Sequence, residues 1–217
     1  MSDLTTLTRK PDRGTDERAA LDELLDSVPV GVLCTVLDGM PWSVPLLLAR
    51  DGDRVLLHGS TGAGALRHLA DGAPLTMTVF ALDGLVVAHT AFDSSANYRS
   101  AVLRGSAEVL RGEVAERALE ALTDRLLPGR TEEVRASTGR EVAATVVLAL
   151  PITEGAWLFK GRAGGSGEPE EGSADVWTGV VPLRTVAGPL EPDPWNGSGA
   201  PVPPSVRRVQ QAYPGLG

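Results

Sequence analysis

The sequence is short of most features that mark a specialised environment. Of its 217 residues one is cysteine, Cys34. A lone cysteine excludes an internal disulfide and a cysteine-based zinc cluster, and within its apolar run Cys34 is expected to be a small core residue. Histidine is scarce as well. His58, His68 and His89 lie ten and twenty-one residues apart, with no i, i+4 pair, so no metal site is expected and His89 reads as a strand residue with a satisfied hydrogen bond. No apolar run approaches the roughly 18–20 residues of a membrane helix. The stretch MSDLTTLTRKPDRGTDERAA lacks the apolar centre of a secretory signal. Basic residues are outnumbered 20 to 28 by acidic ones, for a net charge of −8. The nearest thing to a basic patch is SVRRVQQ, which is too little for a duplex. The expectation is therefore a cytoplasmic protein with neither nucleic acid nor membrane as partner. Aromatics make up only 4 %, and Trp42, Trp157 and Trp177 fit a core or an interface better than ligand stacking.

What is present is a series of short strands. Thr15 to Asp26 reads as a helix, with Thr15 as its cap and Leu21, Leu24, Leu25 and Val28 on one face. VGVLCTVL (30–37), WSVPLLLA (42–49) and RVLLH (54–58) are strands joined by DGMP and RDGD, turns too short for crossovers, so they pair antiparallel. A two-turn helix ends at ADGAP. Longer strands follow at Leu75–Thr90 and Tyr98–Leu110, separated by AFDSSAN, where Asp93, Ser94 and Ser95 read as a turn. Val114–Leu127 is an amphipathic helix with Ala115, Leu119, Leu122 and Leu126 on one face, stopped by Pro128-Gly129. A helical stretch from Thr131 leads into the strands AATVVLALPI and GAWLFKG. The loop from Arg162 to Ser173 has little to bury and is expected to be mobile. VWTGVVPLRTVAG reads as a last strand. The expected fold class is mainly β with α decoration, an antiparallel barrel in a single domain over residues 1–187. The Pro/Gly-rich tail 188–217 is expected to lie extended on the surface.

LLHGSTGAGALRHLADG (56–72) runs from a strand through a glycine-rich loop into a helix. A helix start offers unpaired N–H groups to a phosphate, Gly59, Gly62 and Gly64 allow close approach, and Ser60 and Thr61 carry donor hydroxyls. The same residues also suit a plain turn in which Ser60 or Thr61 caps the helix. A P-loop is excluded because the Gly-Lys pair is missing. GAGALR lacks the third glycine of a dinucleotide fingerprint and follows a hairpin, not a parallel strand.

The ordered set GVLCTVLDGMPWSVPLLLARDGDRVLLHGSTG, GAPLTMTV and NYRSAVLRGSAEVL resembles the pyridoxamine 5'-phosphate oxidase-like flavoproteins. Within them it is similar to the small bacterial branch near the nitroimidazole reductases, over Ala19 to Leu150 and more loosely to Ala187. The resemblance implies an FMN-binding split β-barrel, a homodimer with its flavin at the interface, and oxidoreductase activity on a small soluble substrate. The alternative is a flavin- or haem-binding carrier or sensor. It also implies roles for particular residues. Ser43, Val44, Pro45 and Leu46 would line the flavin ring with main-chain groups. His58, Gly59, Ser60 and Thr61 would hold ribityl and phosphate. Tyr98, Arg99 and Ser100 would approach the ring, Ser100 most closely. The chain departs from relatives in two ways. Gly64 and Ala65 stand where many carry Arg or Lys, which leaves Arg67 as the nearest cation for the phosphate. Asp93 stands in a segment where relatives often have histidine. No side chain is identified as a catalytic acid or base.

Overall fold

The computed structural model describes residues 6–168, 175–196 and 199–214. After a single 3-10 turn at Pro11–Arg13 come a two-residue strand β1 (Gly14–Thr15), helix α1 (Arg18–Ser27), and the strands β2 (Val30–Leu37), β3 (Met40–Asp51) and β4 (Arg54–Ser60). Helix α2 (Gly64–Ala70) leads to β5 (Pro74–Val87), β6 (Ser95–Ser106), β7 (Glu108–Leu110) and helix α3 (Gly112–Leu126). Then follow α4 (Gly139–Ala143), β8 (Thr145–Pro151), β9 (Trp157–Arg162), β10 (Gly179–Pro182) and α5 (Pro204–Ala212).

The β2–β3 hairpin turns on two residues, Asp38 and Gly39, both with positive φ (51° and 77°). That is the backbone a two-residue hairpin needs, and Asp-Gly supplies it at low cost. Strand β3 then serves two sheets. Residues 40–47 pair with β2 and residues 48–51 pair with β4. The first sheet runs β1-β9-β6-β5-β2-β3, the second β3-β4-β8-β7, all antiparallel. This is the split β-barrel that the resemblance implies, with β10 added to the far end of β5.

Between the sheets lies the main core, closed by Leu21, Leu24 and Leu25 of α1 and by Leu66 and Leu69 of α2. Each fully buried leucine contributes about 1.5–3 kcal/mol. Packing is tight enough that a Cβ on Gly31 would lie 2.6 Å from the Met77 sulfur and 2.8 Å from a Leu48 methyl. A second cluster forms outside the second sheet, where Ala115, Ala118 and Leu122 of α3 sit on Ala49, Leu56, Val147 and Ala149. Small residues on both sides let helix and sheet approach closely.

The structure corrects several expectations. Thr15 belongs to β1, and its hydroxyl accepts from the Glu17 N–H at 3.1 Å; α1 starts at Arg18 behind Glu17, with no side-chain cap. The helical stretch after Thr131 shortens to the five residues of α4, held by a capping box between Thr138 and Glu141. Of the last strand only Gly179–Pro182 pairs. The tail is not simply extended, because Pro204–Ala212 forms a helix. Proline at its first position has the φ a helix start wants and lacks only an N–H with no helical partner. Ser205, fully buried, donates its N–H and hydroxyl to the Glu133 carboxylate at 2.8 and 2.5 Å. Arg208 donates to the Pro128 carbonyl, and the Ala187 N–H donates to the Tyr213 carbonyl. The loop expected to be mobile falls partly on residues 169–174, outside the described residues. At its start Arg162 donates to Asn97 Oδ1 at 2.6 Å and to the Gly165 carbonyl at 2.9 Å.

Candidate functional site

Side chains alternate across each strand of the first sheet, so one set fills the core and the other forms an outer face. On β2, Gly31, Leu33 and Thr35 point inward, while Val32, Cys34 and Val36 point outward. The register aligns the outer set into rows. One row runs Ser43, Cys34, Thr76, Arg104 across four strands. The next runs Pro45, Val32, Thr78, Val102, Leu158. A third brings Leu47 and Val30 together at one end and Phe80, Ser100 and Lys160 at the other. At the Phe80 end this face meets Ala212, the last residue of α5, and Tyr213 across a cleft.

Six residues expected to line a ligand share this side. Ser43 and Pro45 are exposed on β3, while Val44 and Leu46 turn their side chains into the core and offer only main-chain groups. Ser100 points outward and donates to the Lys160 carbonyl at 3.0 Å. On the second sheet, His58 and Ser60 extend the same side beyond Leu47 and up to the edge of α3. Tyr98 alternates with Arg99 and falls on the outer side with Ser100. Arg99 turns the other way. Its guanidinium holds Asp83 at 2.9 and 3.1 Å and Glu23 of α1 at 3.1 Å. The Asp83 hydrogen bond is the main cause that raises its pKa further, with burial opposing.

The glycine-rich loop is shaped by its own hydrogen bonds. Ser60 Oγ accepts from the Gly62 N–H at 3.2 Å, and the Thr61 N–H donates to the Ala144 carbonyl at 3.1 Å. Neither hydroxyl caps α2, whose N-cap is Ala63. Thr61 stays exposed. Arg67 lies in the last turn of α2, exposed, with no side-chain hydrogen bond or ion pair among the described residues.

His58 is half-buried, and its Nδ1 is sealed from solvent with no partner among the described residues. Burial pushes its pKa down, so the ring is neutral at pH 7. It borders a cavity of about 340 Å³ walled by Leu47, Leu119, Leu122, Leu126 and Leu127. A larger cleft of about 790 Å³ lies where Phe80 and Leu82 face Leu183 and Tyr213 of the C-terminal segment.

Two further expectations are overturned here. His89 follows the end of β5 and is not a strand residue, and its Nδ1 is buried without a partner among the described residues. Cys34 is half-buried on the outer face and is not a core residue, because Leu33 takes the inward position. Of the expected turn, Asp93 and Ser94 hold together, with the Thr90 hydroxyl donating to Asp93 at 2.6 Å and Ser94 donating to the Thr90 carbonyl at 2.9 Å, but Ser95 already begins β6, paired with Val86. Thr76 and Arg104 were not foreseen as site residues. Only the strand register brings them into line with Ser43.

The model of the pyridoxamine 5'-phosphate oxidase family matches residues 17–157. The chain belongs to that family. Among solved structures, this family member is similar to the FAD and haem binding protein from Mycobacterium smegmatis, with 46 % identity and a TM-score of 0.87, covering 90 % of this chain and 96 % of that one. It is similar also to a flavocytochrome from Azotobacter vinelandii, with 32 % identity and a TM-score of 0.87, covering 95 % and 96 %. A candidate 5-nitroimidazole antibiotic resistance protein from Bacteroides thetaiotaomicron shares the fold at 19 % identity and a TM-score of 0.57, covering 68 % of this chain and 85 % of that one. A search of curated proteins returned no match. The two more similar structures extend over the C-terminal part of this chain, which lies beyond the stretch the family model matches.

Proposed function

We propose that this protein is a redox protein that holds a flavin against its open sheet face and also takes up haem, acting on a small soluble substrate. The observation that carries this reading is the 46 % identity, over 90 % of the chain, to a protein that binds FAD and haem. FAD is the flavin favoured by that likeness, with FMN as the alternative. The missing Arg or Lys at Gly64 and Ala65 supports the same choice. A phosphate monoester such as that of FMN carries about −1.5 to −2 charge on one group, whereas a pyrophosphate diester spreads its charge over two.

The residues suit both groups. The row Pro45, Val32, Thr78 and Val102 offers a flat, largely apolar strip for a ring system. Ser43 and the main chain of 43–46 border it, and Ser60, Thr61 and Arg67 would serve the phosphate end. The flavin would supply the redox chemistry; the protein orients it, shields one side and sets the polarity around it. For haem, His58 is the ligand of first choice, a half-buried ring whose pKa burial lowers, at the border of a leucine-lined cavity. Two copies meeting across the open face would cover its exposed apolar side chains and complete the site.

The test is the absorption spectrum of the full chain purified without added cofactor and again after incubation with FAD and haemin. A flavin band and a Soret band are expected, and released flavin identified by mass separates FAD from FMN. His58→Ala should lose the Soret band and keep the flavin band; the same changes at His68 and His89 serve as controls. Light scattering should give twice the 22.7 kDa chain mass. A chain that takes up neither cofactor would sink this reading. Bleaching of the flavin band by reduced nicotinamide would distinguish an enzyme from a carrier.

A further inference from the structure

Arg104 is a cation without a counter-charge in a protein where acidic residues outnumber basic ones 28 to 20. Arg18, Arg50, Arg54 and Arg99 each have a carboxylate oxygen at 2.5 to 2.9 Å. Arg104 has no side-chain hydrogen bond or ion pair among the described residues, and its Nη1 is sealed from solvent. A buried N–H without an acceptor is costly, so such a group marks a missing partner.

Its surroundings narrow what that partner is. Arg104 ends the row that begins at Ser43 and forms one wall of a groove of about 640 Å³. The other walls include Val36, Pro74, Leu75 and Ser106, and among the described residues no Asp or Glu lines the groove. Thr35 and Ser106 spend their hydroxyl protons on the Pro74 and Gly72 carbonyls, at 2.8 and 3.1 Å. The guanidinium is thus the strong donor left over, in a mostly apolar groove.

We propose that this groove receives the anionic group of a small-molecule substrate, a carboxylate or a phosphate monoester, gripped by the Arg104 fork. The apolar body of that substrate runs along the row toward Ser43, next to the ring. That last point rests on the flavin reading above. The anion site itself does not.

The experiment titrates the full-length protein, as purified and after flavin loading, with benzoate and with inorganic phosphate as probes, followed by calorimetry. The wild type should bind at least one probe saturably. Arg104→Met should weaken it about tenfold or more, and Arg104→Lys, which keeps the charge but not the fork, should fall between. Flavin content and particle mass should be unchanged in both variants. Failure of the flavin reading shows separately, as absence of flavin from the wild type. Four results overturn the proposal. The wild type binds neither probe, or Arg104→Met binds as well as the wild type. Arg104→Met loses FAD and FMN but keeps riboflavin, which assigns Arg104 to the phosphate of the flavin itself. Arg104→Met falls apart to single chains, which assigns it to a carboxylate of a second copy.

Discussion

On its outer side the second sheet carries Leu56, Val147 and Ala149, exposed by no more than 1 % beneath α3; the first sheet carries Val36 at 56 % and Phe80 at 62 %. Both outer faces are apolar enough to want a cover. The chain supplies one for the second sheet and builds it from small residues, so that helix and sheet sit close. On the first sheet the apolar strip is left bare, and a polar row is set beside it. A sheet face that is apolar, left exposed by the described residues and equipped with directed polar groups is suited to a ligand or a second copy, as proposed above.

The largest expected effect tests the inner side that both sheets share. Leu103→Ala, on the inward side of β6, should cost about 2–5 kcal/mol of stability in urea unfolding. Val102→Ala, one residue along on the outer side, should cost less than about 1 kcal/mol in the absence of cofactor. Equal losses at the two positions would mean that the outer face is already packed, and the contrast would fail.

Next in size is the phosphate contact proposed for Arg67 on α2. If Arg67 serves the phosphate, Arg67→Ala should weaken FMN binding roughly 10- to 150-fold, from the loss of one charge-assisted contact of about 1.5–3 kcal/mol. Riboflavin affinity should barely move. A matching loss for riboflavin would point to damage in α2 instead.

Two smaller effects concern protons. The His58 pKa lies below its ordinary 6.5 because burial penalises the charged ring. The unfolded chain therefore binds a proton more readily, and stability falls as pH drops below 6.5, with Glu141 the titratable neighbour in the same cavity. Thermal melts of His58→Gln should lose that part of the slope between pH 7 and 5. Glu141 itself is drawn down to about 2, chiefly by its hydrogen bond with Arg135. Its contribution to the cap of α4 is present above the ordinary 4.5 and lost as pH falls toward 2. The protection factors of the amides in residues 139–143, taken against the intrinsic rate at each pH, should fall over that window and stay level above it.

How far the sequence could be read depended on the range of the signals. The hairpins β2–β3–β4 were legible because Asp38-Gly39 and the RDGD turn are local chemistry. The covering helix α3 was legible from its spacing, and the family from the order of these pieces. Helix α5 was missed because the prolines around it read as tail, although Pro203-Pro204 followed by Val206 and Val209 is a fair helix start. Cys34 was misplaced by reading an apolar run where strict alternation, Leu33 in and Cys34 out, decides. Arg104 could not be seen at all. Its meaning comes from standing in register with Thr76, Cys34 and Ser43, and register across four strands is a tertiary fact.

The clasp between Ser205 and Glu133 spans 72 positions of chain. Closing so long a loop costs entropy that a few hydrogen bonds repay only once both ends are already held in place. Refolding should therefore proceed in two beats. The barrel forms first from its neighbouring hairpins. Only afterwards does α5 settle onto Glu133 and bring Tyr213 to the cleft beside Phe80. The wall that Leu183 and Tyr213 raise opposite Phe80 is therefore completed last, and refolding followed by amide exchange should protect residues 204–212 after the barrel strands.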